Sequence, residues 1–209
     1  CSPNNPTGHS LASEEVLELA RALENVGLVV VDEAYIEFSP RHSLSTDVAR
    51  QPNLAVLRTL SKAHGLAGLR CGALVADPAV IELLRRIMAP YPLPTPTARL
   101  AAEALEAGDS YRERLNTIIG ERARLQQALF SLPAIDTVWP SDANFLLLRS
   151  RDDAPALAAR AAAAGIVVRD FSGVAGLENC LRISVGTPED NDALLAFLAG
   201  ESGAGEARA

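Results

Sequence analysis

The chain has 209 residues, 48% apolar and 22% charged, the composition of a globular protein with one large or two small cores. A net charge of −7 with scattered arginines excludes a nucleic-acid footprint, and no apolar run approaches the roughly 18 residues of a membrane span. Cys1, Cys71 and Cys180 are odd in number and widely spaced, and His9, His42 and His64 share no ligand spacing with them. Neither a disulfide framework nor a zinc site is indicated, and a reducing, cytoplasmic setting is the default. Lys62 is the only lysine, the other 18 of the 19 basic residues being arginine. Drift from lysine to arginine explains the bias, and it leaves Lys62 as a lysine that resisted exchange.

In chain order, Ser13 reads as the cap of a helix in which Val16, Leu19, Ala20 and Leu23 recur at helical spacing before Gly27 stops it. The apolar run 28–31 predicts a strand buried on both faces of a parallel sheet, with 54–57 a second strand and 72–75 a weaker third. Asp77 and Pro78 open a helix to about residue 88. The proline-rich stretch 90–96 is a rigid connector. Helices follow over 97–107 and 110–131, then strands over 135–138 and 144–148 and a helix over 154–164. Further strands over 166–168 and 180–185 and a last helix from Thr187-Pro188 complete an α/β layer followed by a smaller α+β domain. Residues 200–209 read as a frayed tail.

Ligands of open α/β sheets bind beyond the carboxyl ends of the strands. Asp32 ends the first strand and Tyr35 follows it; Thr59, Ser61 and Lys62 follow the second; Arg70 lies beyond a loop with two glycines. Singly, each has a structural explanation as cap, packing, turn or surface charge. Jointly they match the demands of pyridoxal 5′-phosphate: a lysine for a Schiff base, an acid for the pyridine nitrogen, a phenol for the 3′-oxygen, hydroxyls and arginine for the phosphate. A guanidinium, always protonated, cannot replace that lysine.

Six segments, SPNNPTG (2–8), VVVDEAYIEF (29–38), LRTLSKAHGLAGLRCG (57–72), APYPLPTPTA (89–98), GIVVRD (165–170) and CLRISVGT (180–187), resemble the fold-type I pyridoxal-phosphate aminotransferases. Within that family they resemble the histidinol-phosphate aminotransferase group most. The resemblance implies that residues 1–109 are the C-terminal portion of a large cofactor-binding α/β domain. It implies that 110–200 are a small α+β domain entered by a long helix, and 201–209 a flexible tail. It implies Lys62 as catalytic lysine, Asp32 on the pyridine nitrogen, Tyr35 and Asn5 on the 3′-oxygen, and Thr59, Ser61 and Arg70 on the cofactor phosphate. Asn5, Arg169 and Arg182 would bind substrate, Arg182 taking the carboxylate of glutamate and helping with the phosphate of histidinol phosphate, Arg169 assisting with that phosphate. His64 stands where a bulky ring is common in the family and is not read as a base.

The activity so implied is transamination between glutamate and imidazole acetol phosphate in histidine biosynthesis, by a homodimer. The alternatives are an aromatic-amino-acid aminotransferase or a phosphothreonine-type decarboxylase of the same fold, a ligand-sensing regulator, or an inactive truncated fragment. The chain opens on Cys1 at the NNPTG turn, so the upstream part of the large domain, with its stacking aromatic and phosphate-binding helix, is expected to be absent. The 209 residues alone are expected to be poorly folded or inactive.

Overall fold

The computed structural model describes residues 1–106 and 108–206, and these separate into two units. The expectation of a flexible tail falls in part outside them, at 207–209. One unit holds Cys1–Asn4 and Ser10–Leu115, the other Asn5–His9 and the chain from Asn116 onward.

In the first unit, α1 spans Ser13–Ala22. Ala12, not Ser13, stands at the cap, because the Ala12 N–H donates to Glu15 Oε2 at 2.9 Å. Strand β1 (Val29–Asp32) pairs in parallel with β2 (Leu54–Thr59), in the register Val29↔Leu54 to Asp32↔Leu57. Strand β3 (Gly72–Val75) runs antiparallel to β2, which corrects the expected all-parallel set. The physical reason lies in the link between them: residues 60–71 close on themselves through Leu60 N–H to Cys71 O and Leu66 N–H to Leu60 O, with no crossover helix to return the chain in parallel.

A second correction concerns burial. Val16, Val31, Leu54 and Val56 form a core with Leu44 and Val48 on one face of this sheet. On the other face Val30 is 49% exposed and Leu57 39% exposed, so β1 is buried on one face only. The strand is also an edge of its sheet among the described residues. Helix α2 (Pro78–Arg85) begins as expected, the Asp77 carboxylate accepting from Ala79 N–H at 2.8 Å. Helices α3 (Thr95–Glu106) and α4 (Gly108–Phe130) follow, and the boundary between the units falls within α4.

The second unit is a sheet in the order β4-β5-β7-β6, antiparallel throughout, of β4 (Ile135–Val138), β5 (Phe145–Ser150), β6 (Arg169–Asp170) and β7 (Cys180–Ser184). Helices α5 (Ala154–Ala163) and α6 (Pro188–Glu206) accompany it. Period-two alternation sends Leu146, Leu148, Leu181 and Ile183 to one face, where Leu125 and Leu129 of α4, Leu157 of α5 and Leu194 and Leu198 of α6 cover them. The strand expected over 166–168 is displaced: pairing begins at Arg169↔Arg182. Ile166 and Val168 instead pack against the core, while Val167 between them is 88% exposed. No helix among the described residues is long and apolar enough to cross a membrane.

Candidate active site

The carboxyl ends of β1 and β2 lie side by side in the first unit. Asp32 opposes Leu57 in the parallel register, so Thr59, two residues on, leaves the sheet on the same face as Asp32. Their sequence neighbours leave on the opposite face. Glu33, 1% exposed, accepts from Leu44 N–H at 2.7 Å and from the Ser43 hydroxyl at 2.5 Å, with the Arg58 guanidinium 3.8 Å away. Arg58 also donates to Glu37 at 2.8 Å. The dipeptides Asp32-Glu33 and Arg58-Thr59 are thus each divided by the pleat between the two faces of the sheet. This Glu33–Arg58–Glu37 group was missed in the sequence. The alternation itself was the signal that could have found it.

On the crevice side, Asp32 Oδ1 accepts from Ala34 N–H at 3.0 Å, which orients the carboxylate, and Cys1 Sγ is 4.0 Å from Oδ2. Lys62 is exposed, its Nζ 5.3 Å from the centre of the Tyr35 ring. Among the described residues its ammonium has neither a hydrogen bond nor an ion pair. Tyr35 is 8% exposed and therefore a fixed wall. The Thr59 hydroxyl donates to Ser61 Oγ at 2.9 Å and accepts from Ser61 N–H at 3.1 Å, holding the two hydroxyls together. Arg70 takes a left-handed conformation, φ 52°, and its Nη1 donates to Ala67 O at 3.0 Å. It is exposed and makes no ion pair among the described residues. His64 stacks on Tyr111 with centroids 4.5 Å apart and planes 12° from parallel. Burial holds its pKa below the ordinary 6.5; Glu37 opposes this, while Arg58 and Arg114 reinforce it. That loop is held by ring packing on the α4 segment, with the imidazole kept toward its neutral form.

The remaining candidates gather in the second unit. Arg169 and Arg182 are opposed across β6 and β7, so both guanidinium groups rise from one face of the sheet. Arg182 Nη1 donates to Asn5 Oδ1 at 2.6 Å, and its Cζ lies over the rings of Phe145 at 5.1 Å and Phe171 at 5.8 Å. Its Nε is buried without an acceptor. The segment carrying Asn5 is anchored to the same unit at its far end, Gly8 O accepting from Asp142 N–H at 2.8 Å. The candidates therefore form two sets, each within one unit: Asp32, Tyr35, Thr59, Ser61, Lys62 and Arg70 in the first, Asn5, Arg169 and Arg182 in the second.

The profile of the class I and II aminotransferases matches residues 1–198. The chain belongs to the class I and II aminotransferase family. Among curated aminotransferases, the histidinol-phosphate aminotransferase of Stenotrophomonas maltophilia (strain R551-3) is 50% identical over 200 residues, 95% of this chain. The chain spans about half the length of the curated relatives it matches, 55% in that case. Among solved aminotransferases, the histidinol-phosphate aminotransferase of Sinorhizobium meliloti, crystallised with pyridoxal-5′-phosphate, superposes with a TM-score of 0.87 at 31% identity, covering 97% of this chain and 56% of that one. An L-threonine-O-3-phosphate decarboxylase from Porphyromonas gingivalis superposes with a TM-score of 0.84 at 26% identity, over 95% of this chain and 62% of its own.

Proposed function

We propose that this chain is the lysine-bearing portion of a cytoplasmic pyridoxal-phosphate-dependent histidinol-phosphate aminotransferase, acting as a homodimer with glutamate and imidazole acetol phosphate as substrates. The observation that carries the reading is the placement of the one lysine, exposed and without an anionic partner, over Tyr35 at the strand ends that also present Asp32, Thr59 and Ser61. This donor set fits the cofactor: an amine with no competing salt bridge, an oriented carboxylate, and two hydroxyls held next to each other. The proposal takes residues 1–109 as the cofactor-binding portion and 110–200 as the small domain.

When bound, pyridoxal phosphate supplies a carbonyl that condenses with amines and a protonated pyridine ring that withdraws electrons. Asp32 would hold the proton on the ring nitrogen, its carboxylate oriented by Ala34 N–H. Tyr35 would donate to the 3′-oxygen, and Asn5 is proposed for the same oxygen. The Asn5 side-chain oxygen is engaged by Arg182, which leaves its amide N–H groups for donation. Thr59, Ser61 and Arg70 would hold the cofactor phosphate by charge-assisted hydrogen bonds. Lys62 Nζ would hold the cofactor through its carbonyl carbon and, when free, would serve as the base that takes the proton from the substrate α-carbon. Arg182 receives the glutamate carboxylate; Arg169 and Arg182 together receive the phosphate of the second substrate, a dianion suited to two guanidinium groups on one face.

Half-reactions with glutamate and imidazole acetol phosphate test the assignment against phenylpyruvate as acceptor. Preference for the phosphorylated imidazole ketone is expected. Far better use of phenylpyruvate, or release of carbon dioxide from a phosphorylated amino acid, overturns it.

A further inference from the structure

Arg182 sits on β7, between β5 and β6, and its guanidinium is bounded on more sides than the reading above requires. Phe145 approaches from β5, diagonal to the Leu147↔Arg182 pair. Phe171 approaches from the other side: its N–H donates to Cys180 O at 2.9 Å, which continues the β6–β7 ladder and sets its ring two residues from Arg182 on the same face. The Arg182 Cζ stands 5.1 Å from the Phe145 centroid and 5.8 Å from that of Phe171, both within cation–π range. Arginine carries five N–H donors in one plane. With both rings within cation–π range and Nη1 committed to Asn5 Oδ1, the edge that remains is Nε with Nη2. That Nε is buried and has no acceptor. Two parallel donors, one of them desolvated and unsatisfied, are the complement of a carboxylate.

We propose that Phe171 is a positioning residue, which with Phe145 clamps the Arg182 guanidinium so that its Nε–Nη2 edge is the one offered to an anion. This rests on the reading of Arg182 as the carboxylate receiver and names what aims it. The two rings differ in kind. Phe145 is 2% exposed and part of the packed sheet face, whereas Phe171 is partly exposed just past the end of β6 and is open to substitution without hollowing the core.

The test uses the full chain with isotopically labelled arginine, observed through its Nε–Hε resonances. Arg182→Lys identifies the Arg182 signal. That signal is expected upfield of the exposed arginines, because it lies over two aromatic rings, and to move downfield on titration with glutarate. Phe171→Leu is expected to remove much of the upfield displacement and to weaken glutarate binding about fivefold, the scale of one partly exposed cation–π contact. Phe171→Tyr is expected to preserve both properties. An unmoved Arg122 signal, from the guanidinium held on Ala143 O at 2.8 Å, shows that the unit is still folded. Phe171→Met, which keeps bulk without a ring, serves if the leucine variant does not fold. An Arg182 signal and a glutarate affinity both unchanged in a folded Phe171→Leu chain overturn the clamp. Glutarate that leaves the Arg182 signal unmoved in the unsubstituted chain overturns the carboxylate reading instead, while a ring-dependent displacement lost in Phe171→Leu still supports the clamp.

Discussion

Arg169 and Arg182 are direct cross-strand partners on β6 and β7, two permanent cations on one face with no acidic side chain paired to either among the described residues. Like charges opposed across a ladder weaken it by roughly 0.2–1 kcal/mol, a cost that a shared anion reverses. Urea unfolding of the chain is therefore expected to shift upward in inorganic phosphate, approaching about 2.7 kcal/mol at a hundredfold excess over the dissociation constant. Arg169→Gln is expected to leave stability unchanged or slightly higher without phosphate and to lose most of the phosphate increment. An equal increment in the variant counts against the pair as an anion site.

Lys62 has no substitute in this chain. Borohydride reduction in the presence of pyridoxal phosphate, followed by peptide mapping, is expected to label the peptide carrying Lys62. Lys62→Arg is expected to abolish that label and to lower transamination by the protein carrying this segment on the order of 10³-fold or more. Labelling confined to the N-terminal amine overturns the assignment.

Glu33 is the buried member of the Asp32-Glu33 pair and satisfies Leu44 N–H, Ser43 and Arg58 at once. Glu33→Ala strands a buried N–H and part of the Arg58 charge, with an expected loss of about 3 kcal/mol in denaturant unfolding. Asp32→Ala, on the opposite face, is expected to cost far less stability while removing the carboxylate proposed for the ring nitrogen. The contrast between the two variants is the measurement.

Gly8 has φ +72°, and a Cβ there would press on Ser141, 3.0 Å from its Cα. Gly8→Ala combines a left-handed backbone cost of roughly 1–2 kcal/mol with this clash. It is expected to lower the unfolding midpoint and to loosen the Asn5 contact with Arg182, visible as a change in the Arg182 resonance.

Burial lowers the pKa of His64 below 6.5, so the unfolded chain takes up the proton first as pH falls. The contribution of the neutral ring is complete above pH 6.5 and is lost as pH drops through the lowered folded-state value. His64→Phe keeps a ring against Tyr111 and is expected to flatten this part of the stability–pH curve. A slope unchanged in the variant assigns it to another group.

Chain order and spacing single out Lys62, Asp32, Tyr35, Thr59 and Ser61 as candidates, because each stands within a few residues of a strand end and their chemistries are complementary. The same local signals predicted the Asp77 cap and the start of α2. They failed where the outcome depends on partners distant in the chain. The direction of β3 was set by how residues 60–71 close, the exposure of Val30 by what lies over its face, and the start of β6 by which residues reach β7 rather than the core. Glu33 and Arg58 were legible only as charges until the sheet put them on one side of the pleat. The phenyl clamp on Arg182 likewise joins three strands, so no window of sequence contains it. Local chemistry and periodicity are properties of neighbouring residues and survive in the linear chain; register, burial and the aim of a guanidinium are properties of pairs far apart in it, and only folding brings those pairs together.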